Sequence, residues 1–127
     1  MKFIRYWLPA LIWMLLIFLG SSIPSARVSQ NGTLDFLAHK VAHLFEYAVL
    51  YLLVYRALNQ GKGAFDEREI VVALFLVTLY GGSDEFHQSF IPGRESRLRD
   101  VFIDFLGGLA GVVIWKYYLK VRKILSI

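Results

Sequence analysis

The chain contains no cysteine. That excludes disulfides, thiolate metal sites and a cysteine nucleophile, and it leaves no redox evidence about compartment. HExxH, GxSxG and P-loop patterns are also missing, so the short signatures of zinc hydrolysis, serine hydrolysis and nucleotide binding are absent. Charged residues are few, at 19%, and there is neither an internal repeat nor a low-complexity segment. The net charge of +4 comes from residues at the ends of apolar runs. They form no continuous patch, which argues against nucleic acid as a partner.

What the chain has in quantity is apolar sequence. Of 127 residues, 57% are hydrophobic, and the mean hydropathy is +0.51. A soluble core of one domain does not need so much. A membrane span takes roughly 20 mainly apolar residues, and four such stretches fit within a single domain covering residues 1–127. The expected fold is all-α, a polytopic membrane protein built as a bundle of four transmembrane helices.

The first span is expected over residues 6–20, after Lys2 and Arg5 and before the helix-breaking run Ser21 to Ala26. A basic start, an apolar run and small residues also describe a signal peptide, but three further spans make an uncleaved first helix the simpler reading. A polar stretch from Arg27 to Leu34, with a turn signal at Asn31-Gly32, leads to a second span over 36–58. Gly61 and Gly63 break the loop that follows. The third span is expected over 70–90, stopped by Pro92-Gly93, and the fourth over 100–119. Four spans put both termini on one side, together with Lys2, Arg5, Arg56, Lys62, Arg68, Lys116, Lys120, Arg122 and Lys123. The opposite side carries only Arg27, Lys40, Arg94, Arg97 and Arg99. Positive residues stay inside, so both termini are expected in the cytoplasm.

Nine polar residues interrupt the apolar runs: His43 and Glu46; Asp84, Glu85, His87, Gln88 and Arg94; Asp100 and Asp104. Ionisable groups in or beside spans are costly and usually mark function. At 3.6 residues per turn, Lys40, His43, Glu46 and Tyr47 share one side of the second span. Asp100, Asp104, Gly107 and Gly111 form a stripe on the fourth. Asp84, His87 and Gln88 share a side of the third, with Glu85 offset. Facing lipid is expensive for all three sets, so they should face one another in a polar pocket at the outer end. The small-xxx-small pair Gly107 and Gly111 permits close helix approach.

These segments resemble a known family. Lys40-Val41-Ala42-His43-Leu44-Phe45-Glu46-Tyr47 is similar to the (R/K)-K-x-x-H-x-x-E-Y element of the VanZ-like family, with His39 where a basic residue is common. Ser83 to Arg94 resembles its D-E-x-H-Q-x-F-x-P-G-R element. Asp100 to Asp104 with the following glycines is similar to its D-x-x-x-D-x-x-G ending, and Ser21-Ser22 with Pro24 to its S-S-x-P stretch. The resemblance implies a bacterial integral membrane protein of the cell envelope. The namesake member is associated with resistance to teicoplanin, a glycopeptide antibiotic; the resemblance supplies no mechanism.

The residues leave three readings open. In the first, His87, His43, Glu46, Asp84 and Glu85 perform acid-base chemistry, or a divalent metal held by Asp100, Asp104 and His87 activates water. Lys40, Gln88, Arg94 and Arg97, joined by Arg99, then hold a phosphate-bearing amphiphile, such as a membrane lipid or a lipid-linked cell-wall precursor. In the second, the same groups bind or transport such a lipid, or a glycopeptide, without chemistry; four short helices are few for a transporter, and a homodimer would supply more. In the third, the cluster is an ion network that fixes the bundle. Ser83 and Ser89 flank the cluster but sit in no nucleophile motif.

Overall fold

In a computed structural model, which describes residues 1–24 and 30–126, the chain is all-helical among the described residues. The elements are α1 (Lys2–Ser21), α2 (Gly32–Leu58), α3 (Glu67–Gln88) and α4 (Leu98–Leu125). The helices α1, α2 and α3 are long and apolar enough to cross a membrane. The expected breaker residues Ser25 and Ala26, the start of the polar stretch and Arg27 of the charge comparison lie outside the described residues.

Local sequence accounts for the starts of α2 and α3. Asn31-Gly32, expected as a turn, instead starts α2: the Asn31 side-chain oxygen accepts from the Thr33 and Leu34 amides at 3.0 and 3.4 Å, satisfying two of the free N–H groups every helix start exposes. Asp66 caps α3 in the same way through the Arg68 and Glu69 amides. The loop between α2 and α3 turns through positive φ at Gln60, Gly61 and Gly63. The helices overrun the expected spans. The largest extension is in α4, which continues as helix from Leu119 to Leu125, because no breaker interrupts its basic end. The third helix is the exception: it closes at Gln88, capped by Ser89, before residue 90.

Packing is led by the α2–α4 contact. The α2 stripe Tyr47, Tyr51 and Tyr55 is fully buried and meets glycines on α4. A Cβ on Gly107 would lie 2.8 Å from the Leu44 carbonyl oxygen, and one on Gly111 would lie 2.6 Å from Tyr51 Cδ1. One turn further on, Tyr55 and Trp115 rings sit 5.2 Å apart. The pairs advance together along both helices, so α2 and α4 are parallel. On α1, Trp13 Nε1 donates to the Glu46 carbonyl at 2.8 Å, while Tyr6 near its start lies under Arg56 near the end of α2; α1 is therefore antiparallel to α2. The outer surface is apolar on every helix, with Leu8, Leu15, Val41, Phe45, Val71, Phe75, Phe102 and Val113 all exposed. Water does not tolerate such a surface, whereas hydrocarbon does. With its three long apolar helices, the chain is a membrane protein.

Candidate functional site

The polar residues gather at the end of the bundle where α1 finishes and α2 and α4 begin. Close α2–α4 packing through Gly107 sets the register. One turn before it, Asp104 lies wholly buried and its Oδ1 is 2.8 Å from His43 Nδ1. One turn earlier still, Asp100 pairs with Lys40. Gly81 on α3 keeps the third wall close, since a Cβ there would stand 3.0 Å from Asp104 Oδ2.

Asp84 is buried and fully engaged. Its Oδ1 accepts from Ser21 Oγ at 2.6 Å, and its Oδ2 accepts from Gln88 Nε2 at 2.9 Å and Tyr47 OH at 3.4 Å. His87 turns toward α1: it stacks on Phe18 with centroids 4.4 Å apart, and its Nε2 lies 2.9 Å from Ser22 Oγ. Ser22 also reaches the Phe18 carbonyl at 2.7 Å. If its one hydroxyl proton goes there, His87 Nε2 is the donor to Ser22. The Arg94 guanidinium donates to the carbonyls of Ile23 and Gly20 at 3.0 and 3.1 Å, a favourable place for a cation at the end of α1. Arg97 pairs with Glu95 on the surface. Glu46 is half-buried, one turn beyond His43 on α2. Ser83 and Ser89 bond carbonyls of their own helix.

The centre of the cluster is unlike its rim. Both Glu85 side-chain oxygens and Asp104 Oδ2 are buried and have no hydrogen-bond partner among the described residues, and Glu85 is only 4% exposed. His43, Glu85 and Asp104 each offer a ligand atom, and these atoms lie within 4.8 Å of one another. The structure thus groups the expected residues differently from the sequence. Of Asp100, Asp104 and His87, the ligand set expected from sequence, only Asp104 stands in this trio; Asp100 is paired with Lys40 and His87 faces α1. Sequence reasoning placed the pocket among the second, third and fourth spans and read Ser21 and Ser22 as a helix break. In the structure α1 forms the fourth wall, and both hydroxyls reach polar residues of α3. The available signal was two hydroxyl residues at the end of an apolar run.

An apolar groove of about 880 Å³ lies apart from the cluster, lined by Trp7, Leu11 and Met14 of α1, Leu50 and Val54 of α2, and α3 from Phe75 to Phe86. At its far end are Gly82, Ser83 and Phe86, on the same turns of α3 as Asp84 and Glu85.

Fold and site together define a helical membrane protein with a buried polar centre at one end. Residues 6–121 match the VanZ/LLP1 family, and the chain belongs to that family. No curated protein and no solved structure matches it.

Proposed function

We propose that this protein crosses the bacterial cytoplasmic membrane four times, with both termini in the cytoplasm, and holds a phosphate-bearing amphiphile from the outer leaflet. Membrane lipids and lipid-linked cell-wall precursors are the candidate ligands. The observation that carries this reading is the apolar groove, which ends on the turns of α3 that carry Asp84 and Glu85. An acyl chain fits such a groove in a bilayer, and the headgroup then lies toward the end that carries Lys40, Arg97 and Arg99. The topology is supported by the parallel α2 and α4, by the excess of Lys and Arg at the opposite end, and by Tyr6 and Arg122 lying over the same loop at Gly61 and Gly63.

A second reading, hydrolysis or group transfer on that headgroup, is favoured by the His43–Asp104 pair. A buried carboxylate 2.8 Å from an imidazole nitrogen is the arrangement of a general base and its orienting partner.

Gly82→Phe tests the amphiphile. Gly82 lines the groove, and a Cβ there meets nothing within 4 Å, so the substitution starts from open space. The variant should fold, and should carry much less tightly bound lipid through purification, as read by mass spectrometry. Unchanged lipid content would remove the groove from the account. A lipid species altered by wild type and left intact by His43→Gln would establish the second reading. Following the family's namesake, we propose a cell-envelope role that affects teicoplanin susceptibility. Cells lacking the gene should regain their inhibitory concentration with wild type and not with Gly82→Phe.

A further inference from the structure

We propose that His43, Glu85 and Asp104 bind one first-row transition-metal dication. Two observations carry it together: one ligand atom from each of these residues lies within 4.8 Å of the others, and three of their buried carboxylate oxygens have no hydrogen-bond partner among the described residues. A purely structural network satisfies its buried members, because an unpaired buried polar group costs more than its bond returns. The rim obeys that rule: Asp84 has Ser21, Gln88 and Tyr47, and Asp100 has Lys40. Glu85 Oε1 and Oε2 and Asp104 Oδ2 do not. Lys40 is held by Asp100 and Arg94 by the α1 carbonyls, so neither is engaged in neutralising Glu85.

A dication answers the deficit in both charge and geometry. It neutralises two buried carboxylates, and it fills the space between donors that already lie within 4.8 Å of one another. With bonds of about 2.0–2.2 Å, donors on opposite sides of an ion stand about 4.2 Å apart. Small side-chain rotations therefore close the shell. One imidazole with two carboxylates suits zinc, manganese or iron better than magnesium or calcium, which prefer all-oxygen sites. Three protein ligands also leave positions open, as in catalytic rather than structural sites. The inference rests on reading this end as a ligand site, but it needs no lipid, so it is tested without one.

Protein purified without a polyhistidine tag is stripped with EDTA and titrated with Zn²⁺, Mn²⁺ and Co²⁺. Wild type should bind one ion per chain, with Co²⁺ giving d–d absorption and Zn²⁺ raising the melting temperature. Glu85→Gln, which keeps the shape and removes the charge, should bind at least tenfold more weakly. It should melt above wild type in EDTA and gain nothing from Zn²⁺. Asp104→Asn should lose the Co²⁺ band, and Lys62→Ala, in the loop between α2 and α3, should keep it. Wild type that binds no ion, or Glu85→Gln that binds as tightly as wild type, overturns the site. Bound metal with no bound lipid would separate this site from the amphiphile reading.

Discussion

Lys40 and Asp100 form an ion pair in which the Lys40 side chain is 19% exposed and the Asp100 side chain 7%. Removing one partner of such a pair leaves a poorly solvated charge, which typically costs about 3–5 kcal/mol, whereas removing both costs little. Lys40→Met should therefore destabilise the protein by about 3 kcal/mol, and Lys40→Met with Asp100→Asn should recover most of that loss. Unfolding in mixed micelles reads the cycle. Equal losses in the single and double variants would mean that the pair is not coupled. Glu85 is predicted to behave in the opposite way in the absence of metal, because its carboxylate has no partner to lose. Opposite signs for two acids of one cluster would separate a residue held for structure from one held for a ligand.

At the scale of the element, two glycines decide how α4 meets α2. Gly107→Ala sets a methyl 2.8 Å from the Leu44 carbonyl oxygen, and Gly111→Ala sets one 2.6 Å from Tyr51 Cδ1 and 3.0 Å from the Ala48 carbonyl oxygen. Backbone cannot yield as the end of a side chain can, so the helices must separate. Each change should cost about 1–3 kcal/mol. Gly107→Ala should also weaken metal binding with all three ligands intact, since it moves Asp104 away from His43. Gly20→Ala and Gly82→Ala meet nothing within 4 Å and should be neutral or stabilising by about 1 kcal/mol. Thermal melts of the four variants check this contrast. If all four behave alike, the α2–α4 contact is looser than described. The same contact explains the tyrosine stripe: large flat side chains fill the space opposite residues that have none.

For the whole molecule, the absence of native cysteine makes topology directly testable. Lys62→Cys and Lys123→Cys should react with a membrane-impermeant maleimide only after the cells are opened, and Glu95→Cys should react in intact cells. Labelling of position 123 together with position 95 would mean that α4 does not cross. A molecule of this kind turns the usual distribution around, with aliphatic side chains outside and polar groups and tyrosines inside. The outer surface is matched to hydrocarbon, so the costly groups are moved to the interior, where each can find a partner or a ligand.

The sequence by itself determined the number, order and approximate length of the helices, because apolar runs bounded by Asn, Asp, Gly and Pro act locally. It also determined which residues are too polar for lipid, because that cost depends on residue type alone. Family membership was legible for a similar reason: Lys40 to Tyr47 and Ser83 to Arg94 are contiguous segments. Partnership was not legible. Asp84 and Glu85 are adjacent in the chain, and both are buried, yet among the described residues the side chain of one has three donors and that of the other has none. His87 looked central, between Glu85 and Gln88, but turns toward α1. Ser21 looked like a stop and donates a hydrogen bond 63 residues away. Such pairings depend on how far each helix is rotated and how closely it approaches its neighbour. Those quantities are set by long-range packing, here by Gly81, Gly107 and Gly111, so only the tertiary structure decided which carboxylates were satisfied and which were left without a partner among the described residues.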